Sequence, residues 1–226
     1  MIRLVLFDID GTLIYTDRAG VKAFSQTFAA EFNLPNGTER MKFGGRTDTS
    51  LVREFFSLHQ IEPSPENFRR FFERYVFVLE HLLAHTTTGG VFPGVSTFIA
   101  DARSLPRPPA IGLLTGNVRL GAEIKLRHFD LWERFETGAF GDDHEDRNQI
   151  AAIAHERGSR LLKEKLRGEQ ILVIGDTPRD IECARAIGAK MLAVATGGAT
   201  FEQLKAHQPD WLVENLGKVA AKQVCS

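Results

Sequence analysis

Short runs of consecutive apolar residues recur along the chain and predict buried β-strands. The runs are residues 2–7, with Arg3 as the one interruption, and residues 111–114, 171–174 and 191–195. Runs of this kind, without polar alternation, are typical of strands that are buried on both faces of a parallel sheet. The intervening segments carry apolar residues at helical spacing and end at glycine, as residues 181–188 do. The pattern therefore predicts an α/β fold with a parallel sheet.

Residues 16–90 show a different pattern, in which amphipathic helical segments follow one another without an intervening strand. These segments are residues 17–32, residues 48–59 and a stretch that begins at Pro65. Their phenylalanines recur at helical spacing, which predicts that they pack against each other. We therefore expect a discontinuous α/β core, residues 1–15 and 91–226, with a helical cap at residues 16–90 inserted after the first strand.

Composition and charge exclude several classes of protein. The chain has 226 residues, with 28 basic and 29 acidic ones, so its formal net charge of −1 does not favour nucleic acid as a partner. Two cysteines, Cys183 and Cys225, are too few for a disulfide framework and suit a reducing cytoplasm. Asp8 ends the first apolar run early, and no run approaches the roughly 18 to 20 residues that a bilayer span requires. We expect a cytoplasmic protein without a membrane partner, as a monomer or homodimer.

Polar residues directly follow three of the predicted strands. They are the segments DIDGT at residues 8–12, TGN at residues 115–117 and GDTPRD at residues 175–180. Ligands of an open parallel sheet bind beyond the carboxyl ends of its strands, so we expect these segments to form one site. Carboxylates that meet there repel each other unless a cation or proton compensates them, and oxygen ligands suit a hard ion such as Mg²⁺.

Taken in order, these segments resemble the signatures of the haloacid dehalogenase-like (HAD) hydrolase superfamily. Residues 8–13, DIDGTL, resemble its first motif, residues 113–117, LLTGN, its second, and residues 175–180 its fourth. The helical insert lies where the family places a small cap. The resemblance covers essentially the whole chain and implies a Rossmann-like core that carries a phosphatase of the phosphoglycolate phosphatase-like branch.

The resemblance also implies roles for four aspartates. Asp8 would be the nucleophile that forms an aspartyl-phosphate, and Asp10 would be the general acid and base. Mg²⁺ would be held by Asp8, the backbone carbonyl of Asp10 and Asp176, with Asp180 in the same cluster.

Further residues are implied to bind the substrate. Thr115, Gly116 and Asn117 would hold phosphoryl oxygens through hydroxyl and amide donors. Arg46 lies in a glycine-rich turn, residues 44–48, that resembles a cap loop lowered onto the substrate. A cation there suits a carboxylate or a second phosphate, so we expect a small, phosphoglycolate-like phosphoester.

The third motif of the family is normally a lysine, and this chain departs from it. Residues 141–148 read GDDHEDRN and offer only Arg147 as a cation. Its planar guanidinium group can donate paired hydrogen bonds to a phosphate, although its geometry differs from that of an ammonium group. We predict that Arg147 replaces the lysine, and the alternative is that Lys163 or Lys165 folds back into the site. The acidic residues 142–146 are expected to form a solvated loop.

Two other functions share part of this pattern. A phosphosugar mutase similar to β-phosphoglucomutase would carry the same motifs, and only retention of the phosphoryl group would distinguish it. A signalling receiver module also phosphorylates an aspartate, but it does so at a later strand and has no helical insert of this size. The dehalogenase branch does not normally carry the second aspartate that stands here as Asp10.

Overall fold

The computed structural model describes residues 1–39 and 41–226. The strands are β1 Leu4–Phe7, β2 Ile14–Tyr15, β3 Gly90–Val91, β4 Ala110–Leu114, β5 Thr137–Ala139, β6 Ile171–Gly175, β7 Lys190–Val194 and β8 Trp211–Val213. The α-helices are α1 Ala19–Phe32, α2 Asp48–Leu58, α3 Pro65–Ala84, α4 Val95–Arg103, α5 Arg119–His128, α6 Arg147–Leu162, α7 Pro178–Ala186, α8 Phe201–Ala206 and α9 Ala221–Cys225.

A six-stranded parallel sheet forms the core, in the order β5-β4-β1-β6-β7-β8. Strand β1 is central, with Leu4 in register with Ala110 on one side and Ile171 on the other. Its side chains alternate between two apolar clusters, one formed with α4, α5 and α9 and the other with α6, α7 and α8. The predicted α/β fold with a parallel sheet is thereby confirmed, and the four predicted strands are present with slightly different ends.

Two features of the sheets were not expected from the sequence. The edge strands β5 and β8 are only three residues long, too short for a distinct apolar run. Strands β2 and β3 form an antiparallel pair in which Ile14 faces Val91. This pair brings together the two chain segments that lead from the sheet into the helical insert and back.

Helices α1, α2 and α3 have an apolar cluster of their own, dominated by aromatic residues. Phe24 on α1 lies 4.8 Å, between ring centroids, from Tyr75 on α3 and 5.0 Å from Phe71. Edge-to-face and tilted arrangements at these distances add to the stability that burial provides. The aromatic residues therefore pack the insert, as expected. The division at residues 15 and 90 stays a prediction.

Both cysteines are buried free thiols. Among the described helices, none combines the length and the apolar character needed to cross a bilayer.

Candidate active site

Asp8 lies directly beyond the carboxyl end of the central strand β1. Its backbone N–H donates to the carbonyl oxygen of Ile174 at 2.9 Å, so the pairing with β6 continues up to this residue. Its side chain is buried, with 6 % of the residue exposed. The chain then turns at Gly11, where φ is +85° and a Cβ atom would lie 2.5 Å from Asp176 Oδ2. Glycine is needed there, because it allows this φ and the close approach of the carboxylate.

Arg147 is the buried cation beside Asp8. It is the first residue of α6, and the preceding Asp146 caps this helix by accepting from the N–H of Asn148 at 2.9 Å. Arg147 Nη2 lies 3.0 Å from Asp8 Oδ1 and also donates to Asp180. A guanidinium that is only 7 % exposed requires such compensation. The position agrees with the substitution of arginine for lysine that the sequence predicts, and its role stays a prediction.

The alternative cations are far from this site. Helix α6 runs for 16 residues from Arg147, and Lys163 follows its last residue. At 1.5 Å per residue the helix is about 24 Å long. Lys163 and Lys165 are both exposed at that end. The alternative that one of them folds back into the site is therefore wrong, because α6 carries the chain away from the sheet edge.

Three buried carboxylates meet at this edge of the sheet. Oxygen atoms of Asp8, Asp176 and Asp180 all lie within 4.8 Å of one another. Asp176 accepts from the hydroxyl of Thr12 at 3.0 Å. Asp180 accepts from the N–H and hydroxyl of Thr177, at 2.9 and 2.6 Å, on the oxygen that does not contact the guanidinium. Asp180 thus has both oxygens engaged.

Burial dominates the electrostatics of this cluster. It raises the pKa of Asp8 from 3.8 to about 6, against the opposing effect of Arg147. It also raises the pKa of Asp176, and the carboxylates of Asp180 and Asp8 add to this effect. Burial alone would lower the pKa of Arg147, but the neighbouring carboxylates outweigh it and raise that pKa well above its usual value. The cluster thus favours additional positive charge.

Asp10 belongs to a separate polar network. Its Oδ2 accepts from Asn117 Nδ2 at 2.8 Å and from Lys125 Nζ at 2.6 Å. Lys125 also donates to Asn117 Oδ1 at 2.6 Å. Thr115 Oγ1 accepts from the side-chain amide of Asn117 at 2.9 Å, which leaves the threonine O–H able to donate. The Asn117 side chain is thus committed to its neighbours and not available as the phosphoryl donor expected from the sequence.

The first turn of α2 connects the helical insert to the second motif. The N–H of Asp48 donates to the carbonyl of Gly116 at 2.8 Å, and Asp48 Oδ2 accepts from the N–H of Val118 at 2.9 Å. Burial raises the pKa of Asp48 from 3.8 to about 7, although Lys125 opposes the shift.

The same helix also contacts the loop before α6. The hydroxyl of Thr47 donates to the carbonyl of Glu145 at 2.9 Å, and that of Thr49 to the carbonyl of Gly141 at 2.7 Å. Arg53 forms an ion pair with Glu145 at 2.6 Å. The acidic residues 142–146 are exposed or half-buried, as expected of a solvated loop, and Glu145 also contacts the insert.

A cavity of about 930 Å³ lies between the insert and the sheet edge. Asp8, Asp10 and Thr115 line it from the core, and Arg46 and Tyr75 from the insert. Its volume is within the range of small-molecule sites, about 300–1,000 Å³.

Comparison of the sequence with protein-family models identifies the family of this chain. Residues 5–194 match the model of the haloacid dehalogenase-like hydrolases. The chain belongs to the haloacid dehalogenase-like hydrolase family. The resemblance inferred from the three motifs is thus confirmed.

Curated relatives of this hydrolase cover nearly its whole length. It is 27% identical over 213 residues to a phosphoglycolate phosphatase of Synechococcus elongatus, covering 93% of this chain and 92% of that one. It is 26% identical over 220 residues to the pyrophosphatase PpaX of Oceanobacillus iheyensis, covering 95% and 94%. These relatives confirm the predicted enzyme class, a phosphatase of the haloacid dehalogenase-like family.

Solved structures share the fold of this hydrolase. The structure of CbbY from Rhodobacter sphaeroides in complex with phosphate has a TM-score of 0.73 at 21% identity, with 96% of each chain covered. A hydrolase from Pseudomonas syringae has a TM-score of 0.71 at 19% identity, with 96% of this chain and 95% of that one covered.

Two buried charged residues of the hydrolase's site were missed from the sequence, Lys125 and Asp48. A lysine within a helix is usually a surface residue, and an aspartate at a helix start is usually a cap. The sequence did contain a signal for the burial of Lys125, because this residue lies three positions after Ala122 and one before Leu126 in the helix. Both of these neighbours are fully buried. A lysine on the buried face of a helix requires an acidic or polar partner.

Arg46 lies within the insert as expected, but it is already partnered. Its guanidinium pairs with Glu54, eight residues further along the chain, and donates to the carbonyl of Ser50 at 3.3 Å. The side chain is 18% exposed and borders the cavity.

Proposed function

We propose that this chain is a Mg²⁺-dependent phosphatase that hydrolyses a small phosphomonoester through an aspartyl-phosphate on Asp8. The observation that carries this proposal is the placement of Asp8. It is buried beside the guanidinium of Arg147, belongs to a cluster of three carboxylates, and faces a cavity large enough for a metabolite.

The donor set suits a magnesium ion. Asp8 and Asp176 offer carboxylate oxygens close together, and a hard cation prefers oxygen ligands. Their raised pKa values indicate that positive charge would be stabilising there. We assign Asp8, Asp176 and the backbone carbonyl of Asp10 as ligands, while Asp180 supports the site by orienting Arg147 and Thr177. A bound Mg²⁺ would lower the repulsion between a carboxylate and a phosphate.

Phosphoryl transfer begins with attack of an Asp8 oxygen on phosphorus. Arg147 holds Asp8 Oδ1 at 3.0 Å, which orients the carboxylate, and its remaining N–H groups can bind phosphoryl oxygens. The Thr115 hydroxyl and the Gly116 backbone N–H are our candidates for the other oxygens, since Asn117 is engaged with Asp10.

Asp10 protonates the leaving oxygen and later accepts a proton from the water that hydrolyses the aspartyl-phosphate. Its side chain is 43 % exposed and borders the cavity, so a leaving group can reach it. Asp8 and Asp10 stand two positions apart at the end of an extended strand, which directs both side chains to the same side.

We infer that the leaving group carries a second anionic group that Arg46 binds, as in phosphoglycolate. Relatives named phosphoglycolate phosphatase and pyrophosphatase support a small anionic leaving group. Arg46→Ala should lower the ratio of kcat/KM for carboxylated over uncharged phosphoesters. Glu54→Gln is the matched control, because it removes the partner of Arg46 but keeps the cation. An unchanged ratio in Arg46→Ala would refute this role.

The phosphatase itself is tested by phosphate release. Wild type and Asp8→Asn are compared on phosphoglycolate, hexose phosphates and nucleoside monophosphates, with and without Mg²⁺. We expect metal-dependent release that Asp8→Asn abolishes. Conversion of a hexose 1-phosphate to the 6-phosphate without phosphate release would instead identify the mutase alternative.

We also propose a cytoplasmic location. The free, buried thiols of Cys183 and Cys225 support it, because a reducing compartment keeps thiols in this state.

A further inference from the structure

Lys125 is a buried lysine at the border between core and insert. It lies on α5 and is 3 % exposed. Its Nζ is 2.6 Å from both Asp10 Oδ2 and Asn117 Oδ1. Burying an ammonium group is costly unless acceptors compensate it, and here a carboxylate and an amide oxygen do so. Its short contacts thus distinguish Lys125 from an ordinary surface charge.

These contacts hold the Asp10 carboxylate at one of its two oxygens. Lys125 and Asn117 both donate to Oδ2. Within the described part of the chain, no hydrogen-bond donor contacts Asp10 Oδ1. One oxygen is therefore anchored from the core side, and the other can carry or accept a proton at the cavity.

The tip of Lys125 is covered by the helical insert. A Cβ atom on Gly20, in α1, would lie 3.3 Å from Lys125 Nζ and 3.8 Å from the Tyr75 hydroxyl of α3. The Tyr75 hydroxyl is itself buried and has no hydrogen-bond partner among the described residues. The insert thus shields the Lys125 ammonium group from solvent, while the Asp10 carboxylate, whose side chain is 43 % exposed, keeps its access to the cavity.

We propose that Lys125 is a positioning residue that holds Asp10 in the place where it exchanges a proton with the leaving oxygen. The proposal rests on the function proposed above, in which Asp10 is the general acid and base. Lys125 acts through Asp10 and does not contact the phosphoryl group. Proton transfer requires placement within hydrogen-bond distance, so a carboxylate that rotates away loses much of its effect.

The test compares Lys125→Met with wild type on two esters of different leaving group. An alkyl phosphate needs a proton on its departing oxygen, whereas p-nitrophenolate leaves without one. In Lys125→Met we expect kcat/KM to fall about 10-fold or more for the alkyl ester and to change much less for p-nitrophenyl phosphate. The inhibition constant of inorganic phosphate should stay the same. Lys165→Met, a change at an exposed lysine, is the matched control and should behave as wild type.

Two further measurements do not depend on overall turnover. With p-nitrophenyl phosphate, Lys125→Met should accumulate phosphorylated enzyme, seen by intact mass, because Asp10 also activates the hydrolytic water. A crystal structure of the metal-free variant should show the Asp10 carboxylate displaced from its wild-type position. This structural comparison and the melting temperature distinguish a local displacement from a folding defect.

A double-mutant cycle separates positioning from an independent role. In Asp10→Asn no carboxylate remains to be positioned, so adding Lys125→Met should lower alkyl-ester turnover little further.

Equal losses on both esters, a weaker inhibition by phosphate, additive losses in the cycle, or an unmoved Asp10 carboxylate would each overturn the proposal. Failure of the proposed function looks different, because wild type itself would then release no phosphate.

Discussion

Replacing Arg147 with methionine removes the buried cation of the carboxylate cluster and keeps a side chain of similar length. At 3.0 Å from Asp8 and an effective dielectric constant of about 20, the attraction lost with this one carboxylate is about 5.5 kcal/mol before solvation is counted. Breaking a buried ion pair on one side typically costs about 3–5 kcal/mol in the free energy of unfolding. For a chain of this size we expect the metal-free melting temperature to fall by roughly 6 to 20 °C.

The assay is thermal unfolding of metal-free protein, followed by circular dichroism at pH 8. The matched control is Arg160→Met on the same helix, since Arg160 is 72% exposed and pairs with Glu156 in solvent. Arg160→Met should lower the free energy of unfolding by at most about 1 kcal/mol. A melting temperature of Arg147→Met within about 2 °C of wild type would refute the reasoning, since it would mean that Arg147 does not compensate the cluster.

Mg²⁺ provides a second readout of the same perturbation. Without Arg147 the cluster has one positive charge fewer, so its affinity for a divalent cation should rise. A ligand that binds the folded state stabilises it in proportion to the logarithm of its concentration over Kd. Saturating Mg²⁺ should therefore raise the melting temperature of Arg147→Met more than that of wild type. An equal or smaller increase would contradict a metal site next to this guanidinium.

Further predictions concern the contact between insert and core. Because the folded-state pKa of Asp48 is about 7 against 3.8 unfolded, the folded protein retains this proton between those values, and its stability falls as pH rises through that range. Asp48→Asn keeps a side-chain acceptor for the Val118 N–H but carries no titrating proton. Its free energy of unfolding, measured in urea, should therefore increase relative to that of wild type between pH 5 and pH 8. A difference between the two proteins that does not change with pH would contradict the raised pKa of Asp48. In Gly116→Ala the new Cβ would overlap the backbone carbonyl of Arg46 and displace that loop, so limited proteolysis should cut residues 41–47 faster than in wild type. An unchanged rate of cleavage would refute this contact.

The sequence predicted the sheet and the acidic side of the site because both follow from local patterns. Apolar runs marked the central strands, and the aspartates that follow β1 and β6 had to meet, since parallel neighbours end at the same edge of a sheet. Asp8 and Asp176 are thus brought together by strand pairing alone. The edge strands escaped prediction because three residues do not give a periodic signal.

The basic side of the site depended on long-range packing. Lys125 and Asp10 are 115 residues apart, and only the packing of the insert against α5 makes that lysine a buried partner of the carboxylate. The burial of Asp48 against the second motif arises in the same way, because Asp48 and its partner Val118 are 70 residues apart.

The sequence by itself thus determined which chemistry the sheet edge offers, because backbone pairing fixes where strand ends lie. The tertiary structure decided which charges are buried and what they contact, because a side chain's environment depends on elements that its neighbours in sequence do not specify.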